Sequence, residues 1–217
     1  MSGARSAVGQ PGAGDVLVRV HATTVCRTDC GQLRARPFFM RLITGVARPK
    51  RTILGMDFAP GDRVFGLTPG GYGGHAEYLC LSQAEAFTLM PEGMDFHEAV
   101  VCEGAWYANS NLQTLGVRSG HRILIYGASG AIGTAAVQLA TFYGAEVTAV
   151  VATRHLDLAR SLGADHVVDY TREDFTKIDE TFDFVLDAVG KASYFQCRRL
   201  LTPQGVFATT DLGPHNQ

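Results

Sequence analysis

The stretch Arg122-Ile-Leu-Ile-Tyr-Gly-Ala-Ser-Gly-Ala-Ile-Gly133 runs from an apolar strand pattern into a glycine turn. A helix is predicted over 131–143, with Gly144 as its C-cap and a second strand over Glu146–Val151. Each glycine has its own reason to be there. Gly127 permits the tight turn, Gly130 lets backbone approach a pyrophosphate, and Gly133 lets the helix pack close to the sheet. Phosphates would rest on N–H groups at the helix N-terminus, where the peptide dipoles favour negative charge. Gly127, Ala128, Ser129, Gly130, Ala131, Ile132 and Gly133 are therefore the candidate dinucleotide contacts. Strand before and helix after make the pattern informative, because glycine triplets alone are common. A plain glycine-rich turn, or a site for another nucleotide such as a methyl donor, is the competing reading.

The residue that selects the cofactor is expected about twenty positions beyond the last glycine. An Asp or Glu there would bond the ribose 2′-hydroxyl of NAD. Here the strand Val147-Thr-Ala-Val-Val-Ala152 ends in Thr153-Arg154, with no carboxylate. A hydroxyl followed by a guanidinium suits a 2′-phosphate, which points to NADPH. The bland alternative makes Arg154 a solvated charge opening a helix over 155–162.

Composition narrows the classes. The chain has 217 residues, 46% hydrophobic and 18% charged, enough for one large domain or two small ones. A net charge of −2 gives no electrostatic case for nucleic acid or an anionic membrane. Basic residues gather over 34–51, which reads as a solvated loop, with a phosphate-facing patch as the minority reading. No apolar run approaches membrane-spanning length, and no signal segment opens the chain. Residues 1–14 are rich in Gly, Ala and Ser and are expected to fray. Five scattered cysteines, Cys26, Cys30, Cys80, Cys102 and Cys197, fit reduced thiols in the cytoplasm better than a disulfide framework.

Two halves follow from the periodicities. Residues 1–96 are rich in Gly and Pro, with strands expected over 15–21, at Arg63-Val-Phe-Gly66 and over 75–81. Helical spacing there is confined to 28–41. Residues 97–217 open with a helical stretch over 97–115 and then alternate strand and helix. Strands are predicted at 122–126, 146–151, 166–169, 182–188 and 206–210, with helices at 131–143, 155–162 and 191–201. That rhythm means an α/β fold with a parallel sheet and right-handed crossovers.

The chain resembles the medium-chain dehydrogenase/reductases, and among them the zinc-free quinone oxidoreductase branch that includes zeta-crystallin. In the first half the resemblance rests on Gly14-Asp-Val-Leu-Val-Arg-Val20, Ile53-Leu-Gly-Met-Asp-Phe-Ala59, Gly61-Asp-Arg-Val-Phe-Gly66 and Gly74-His-Ala-Glu-Tyr78. In the second it rests on Tyr126-Gly-Ala-Ser-Gly-Ala-Ile-Gly133, Leu162-Gly-Ala-Asp-His-Val-Val-Asp-Tyr170 and Asp187-Ala-Val-Gly190. It implies a doubly wound Rossmann domain over 97–217, preceded by a reduced GroES-like β-barrel domain over 1–96 that carries the substrate site. It also implies that Tyr170 touches the 2′-phosphate of NADPH, against the bland reading of an ordinary strand end. Ala188, Val189 and Gly190 would line the nicotinamide pocket by backbone, unless Gly190 simply ends a strand.

The resemblance also bears on metal. Cys26 stands where zinc-dependent alcohol dehydrogenases place their first ligand, and Cys102 falls near the position of the last. The family's Gly-His-Glu is Gly55-Met56-Asp57 here, and a thioether replaces imidazole poorly on Zn²⁺. The four-cysteine structural zinc loop is missing, and His75 falls in a strand segment. The expectation is no metal, with a zinc-dependent alcohol dehydrogenase kept as an alternative. Hydride would then pass to a quinone, enone or activated carbonyl polarised by one or two hydrogen bonds. Thr28 is the hydroxyl expected near the substrate, Cys26 would line the same pocket, and Asp29 would fix the loop.

The family pattern also contains a further barrel strand pair between Ala59 and Pro60, and a sixth Rossmann strand and returning tail beyond the fifth. The sixth strand often pairs across a dimer, so a homo-oligomer is compatible with the reading but not specified. Three possibilities stand open: a shortened NADPH-dependent reductase, a nucleotide-binding protein without turnover, or a shortened product of a longer gene. The acceptor, and whether Cys26 and Cys102 share a site, are open as well.

Overall fold

A computed structural model describes residues 15–23, 57–58, 63–67, 76–82 and 87–210. Thr28, Cys26, Asp29, the basic stretch 34–51, Met56 and His75 lie outside the described residues. The chain divides into two compact units, Met1–Glu103 and Gly104–Gln217.

In the first unit, β1 (Asp15–Arg19) pairs antiparallel with β4 (Tyr78–Ser82). Val18 faces inward at 4% exposure while Leu17 beside it is half exposed, as the period-two pattern predicts. β2 (Asp57–Phe58), β3 (Val64–Leu67) and β5 (Phe87–Leu89) form a second antiparallel sheet in the order β2-β3-β5. The short helix α1 (Phe96–Val100) is started by a capping box in which Asp95 and Glu98 satisfy each other's backbone N–H groups at 2.9 Å. Met90, Ala99 and Val100 form a small core with Ala22, Phe65, Met94 and Phe96 against it. The single helical stretch expected over 97–115 is two helices, α1 and α2 (Cys102–Leu115), with Val101 between them.

The second unit is a five-stranded parallel sheet. Its strands are β6 (Arg122–Tyr126), β7 (Glu146–Val151), β8 (His166–Asp169), β9 (Phe182–Asp187) and β10 (Leu201–Thr209). The order is β10-β9-β6-β7-β8, so the chain winds one way from β6 through β7 to β8 and the other way through β9 to β10. Helices α3 (Ala131–Phe142), α4 (Leu156–Ser161) and α5 (Tyr194–Cys197) lie on the crossovers. Alternating residues feed two cores. Ile123, Ile125, Val147, Ala149 and Val151 pack with Ala136, Val137 and Ala140 of α3 and with Ala108 and Leu112 of α2. Leu124, Val150, Val168, Phe182 and Val185 pack with Ala192, Cys197 and Leu200. Burial on both faces explains why these strands read as near-continuous apolar runs.

Some elements differ from their sequence-based bounds. The helix expected over 155–162 opens two residues earlier as a 3₁₀ turn, Thr153–His155, before α4. The helix expected over 191–201 is α5 followed by a 3₁₀ turn, Arg198–Leu200, because the Ser193–Gln196 capping box sets its start. The last strand begins at Leu201 and carries a register irregularity between Leu201 and Val206, a span that includes Pro203. An edge strand tolerates a proline that a central one would not.

Candidate functional site

The C-terminal ends of β6 and β9 lie side by side at the point where the winding reverses, and ligands of open parallel sheets bind outside such a point. The Gly127–Gly133 turn leaves β6 there. Gly127 has φ +79°, and a Cβ on it would lie 1.9 Å from Val189 Cγ2. Its N–H and that of Ala128 donate to Val150 O at 3.1 and 3.3 Å, which ties the turn to β7. A Cβ on Gly133 would meet Gly127 O at 2.2 Å and Ala128 Cα at 2.7 Å, so only glycine lets α3 start this close to the turn. A Cβ on Gly130 would meet only Gly127 O, at an ordinary 3.5 Å. Gly130 is thus not needed for internal packing.

Gly130 is the N-cap of α3 and supplies no side-chain cap. The first intrahelical bond runs from Thr134 N to Gly130 O at 2.8 Å. The N–H groups of Ala131, Ile132 and Gly133 therefore precede the helix ladder. This arrangement fits a pyrophosphate: an open turn, an uncapped helix end and the favourable end of the helix dipole.

A second glycine contributes from another helix. A Cβ on Gly104 would lie 2.8 Å from Ala131 O, so α2 approaches the start of α3 only because residue 104 has no side chain. Sequence reasoning missed Gly104, because it sits in an otherwise plain helical stretch.

At the end of β9, Asp187 is fully buried. Its Oδ1 accepts the N–H groups of Val189 and Gly190 at 2.9 and 3.0 Å, and its Oδ2 accepts that of Ala192 at 2.8 Å. The carboxylate thus folds the Ala188–Ala192 backbone into a turn in which Gly190 takes φ +72°. Thr210 N donates to Asp187 O at 3.0 Å, which brings the end of β10 alongside. Burial, and after it the Asp187 carboxylate, push the Tyr126 hydroxyl above its usual pKa. Burial holds the Cys197 thiol protonated, its pKa pushed up to about 11, so it is packing rather than a nucleophile.

At the end of β7, Thr153 and Arg154 are exposed, as is Tyr170 at the end of β8. Arg154 Nε lies 3.0 Å from His155 Nε2. The Tyr170 ring meets Tyr126 edge-on at 6.0 Å, and Tyr126 stacks on Phe175 at 4.7 Å. The structure also brings in a carboxylate that sequence reasoning missed. Thr153 Oγ1 donates to Asp169 Oδ2 at 2.6 Å, and Thr171 donates to Asp169 Oδ1 from Oγ1 at 2.6 Å and from its backbone N at 2.9 Å. The Thr153 hydroxyl, then that of Thr171, hold the Asp169 carboxyl below the ordinary carboxylate range. The β7–β8 register pairs Val151 with Asp169, which is why residues so far apart in sequence meet.

Among the described residues no group of three His, Cys, Asp or Glu side chains is placed to hold a metal. No described helix is long and apolar enough to cross a membrane.

An uncapped helix behind a glycine turn, at the winding reversal of a parallel sheet, is the Rossmann-type arrangement. The chain is similar to zinc-binding dehydrogenases and quinone oxidoreductases, in line with its resemblance to the medium-chain dehydrogenase/reductases. Residues 131–217 match the zinc-binding dehydrogenase family. The chain is 36% identical over 141 residues to the 2-methylene-furan-3-one reductase of Solanum lycopersicum, spanning 60% of this chain and 36% of that protein. Among solved structures, the quinone oxidoreductase of Coxiella burnetii superposes with a TM-score of 0.84 at 25% identity, covering 94% of this chain and 69% of that one. The quinone oxidoreductase of Thermus thermophilus, solved alone and with NADPH, gives 0.79 at 27% identity, covering 99% and 69%. The chain thus spans about a third of the curated relative's length.

Proposed function

We propose that this chain binds a reduced nicotinamide dinucleotide, with NADPH preferred, and passes hydride to a quinone or a conjugated carbonyl without a metal. The observation that carries the reading is the Gly127–Gly133 turn, closed by Gly133 and left open at Gly130, at the winding reversal of the sheet. The names of the relatives support the substrate class, since they speak of quinones and of a methylene-furanone. When bound, the cofactor supplies the hydride. The residues Gly127 to Gly133 would hold its pyrophosphate, while Val189 and Gly190, fixed by Asp187, would border the nicotinamide. Thr153, Arg154 and Tyr170 would meet the adenosine end, where a guanidinium and a phenol favour a 2′-phosphate.

In this reading residues 1–96 form the substrate side and 97–217 the cofactor side. Thr28 is assigned proton relay to the acceptor, and Cys26 a place in its pocket. Partners are small molecules. The odd number and scattered placement of the five cysteines support a reducing compartment such as the cytoplasm.

The test is a titration of purified protein with NADPH and NADH, read by nicotinamide fluorescence. Tighter binding of NADPH, with the preference lost in Arg154→Asp, is the expected result. No binding of either at about 1 mM, where even weak sites register, overturns the reading. Binding without turnover on quinones or enones would leave a nucleotide-binding protein and remove the reductase.

A further inference from the structure

The cluster at the end of β8 contains three short oxygen contacts and only two hydroxyl protons. Asp169 Oδ2 lies 2.6 Å from Thr153 Oγ1, Asp169 Oδ1 lies 2.6 Å from Thr171 Oγ1, and the two hydroxyl oxygens are 2.8 Å apart. Each hydroxyl carries one proton and an ionised carboxylate carries none. The Thr153 proton therefore points inward, either to Asp169 or to Thr171, which in turn donates to Asp169. Turning it outward would strip a hydrogen bond from a carboxylate only 7% exposed. What the exposed Thr153 hydroxyl offers to solvent is a lone pair, backed by negative charge.

Position matters as much as polarity. Thr153 stands twenty residues beyond Gly133, at the end of the second strand, where a Rossmann unit meets the ribose 2′-position. A lone pair there accepts from a ribose 2′-hydroxyl and repels a 2′-phosphate. Arg154 and Tyr170 favour the opposite ligand. The two influences meet at one ribose carbon.

We propose that Asp169 is a positioning residue for cofactor choice: by taking the Thr153 proton it turns that hydroxyl into an acceptor and holds back the preference for the 2′-phosphate that Arg154 creates. The inference rests on the dinucleotide reading of the site, though not on turnover. It makes the chain a narrow discriminator that accepts both dinucleotides. It also assigns the carboxylate role that the end of β7 lacks to a residue on the neighbouring strand, acting through a hydroxyl.

The test uses ADP-ribose and 2′-phospho-ADP-ribose, which present the adenosine end without nicotinamide, titrated into the full chain by calorimetry. Asp169→Asn removes the charge and lets an amide N–H donate to Thr153, freeing the hydroxyl to donate outward. Its affinity ratio is expected to move about tenfold toward the phosphorylated ligand, the size of a hydrogen bond to a charged group. Thr153→Val, at an exposed position, is expected to weaken ADP-ribose about fivefold and to leave the phosphorylated ligand bound at least as tightly as the parent does. In the Thr153→Val background, Asp169→Asn should then move the ratio less than about threefold. An unchanged ratio in folded Asp169→Asn overturns the proposal. So does a full shift that persists without the Thr153 hydroxyl, which would mean charge alone acts. If Asp169→Asn does not fold, equal effects of Thr153→Val on both ligands overturn it. If both ligands bind as expected but no acceptor is reduced, the reductase reading falls and this one stands.

Discussion

Two strands of the same sheet end in a buried aspartate, and the two carboxylates do opposite kinds of work. Asp187, at the end of β9, is fully buried and accepts three backbone N–H groups. Asp169, at the end of β8, accepts one backbone N–H and two exposed hydroxyls. The first carboxylate fixes main chain, and two of its three partners are buried away from water. The second fixes the direction of two hydroxyl protons, which water could also take. A carboxylate closed into backbone is scaffold, whereas one shared with exposed side chains can tune a ligand without setting the fold.

The largest test of this contrast is Asp187→Ala. Leaving three N–H groups, two of them buried, without acceptors should lower unfolding free energy by about 3 kcal/mol, at about 1–3 kcal/mol for each buried orphaned donor. Asp169→Ala should lower the urea midpoint by less than roughly half the shift that Asp187→Ala gives, because water can replace its exposed hydroxyl partners. Equal losses in urea unfolding would break the comparison.

Gly127→Ala sharpens it from the neighbouring turn. The new methyl would lie 1.9 Å from Val189 Cγ2, on a residue at φ +79°. The turn held by Asp187 cannot yield freely, so the expected loss is about 1–3 kcal/mol. A variant as stable as the parent by thermal unfolding would show that the Val189 turn moves, and that Asp187 does not lock it.

The smallest effect is in acid. The Asp169 carboxyl is depressed by Thr153, then by Thr171, with Arg172 nearby adding in the same direction. A depressed folded value stabilises the folded state above the unfolded value and loses that support as pH falls through the folded one. Its contribution should thus be intact above the ordinary value of 3.8 and fade below it. Thermal unfolding of the parent and Asp169→Asn, scanned from neutral pH downward, should converge only below that point. Convergence at a higher pH would contradict the inward-facing hydroxyls.

The parallel sheet was legible because its information is local. Residues Arg122–Tyr126 and Glu146–Val151 form strands where their apolar runs predict them, and Gly127, Gly130 and Gly133 fall at the turn they imply. Strands of two or three residues, such as Asp57–Phe58 and Phe87–Leu89, carry too few alternations to be read and are defined by their partners. The candidate substrate residues Thr28 and Cys26 lie outside the described residues, so their placement rests on the family resemblance alone.

By itself the sequence determined the glycine turn, the alternating second half and the Thr153–Arg154 pair that follows the second strand of that half. Each depends on neighbours within one turn or one strand. Only the tertiary structure decided what that pair can offer a ligand. Asp169 reaches Thr153 because β7 and β8 lie in register, and Gly104 opens room beside Ala131 because α2 packs there. The direction of a hydroxyl proton and the clearance beside a helix are properties of contacts between strands and helices, which no local window of sequence contains.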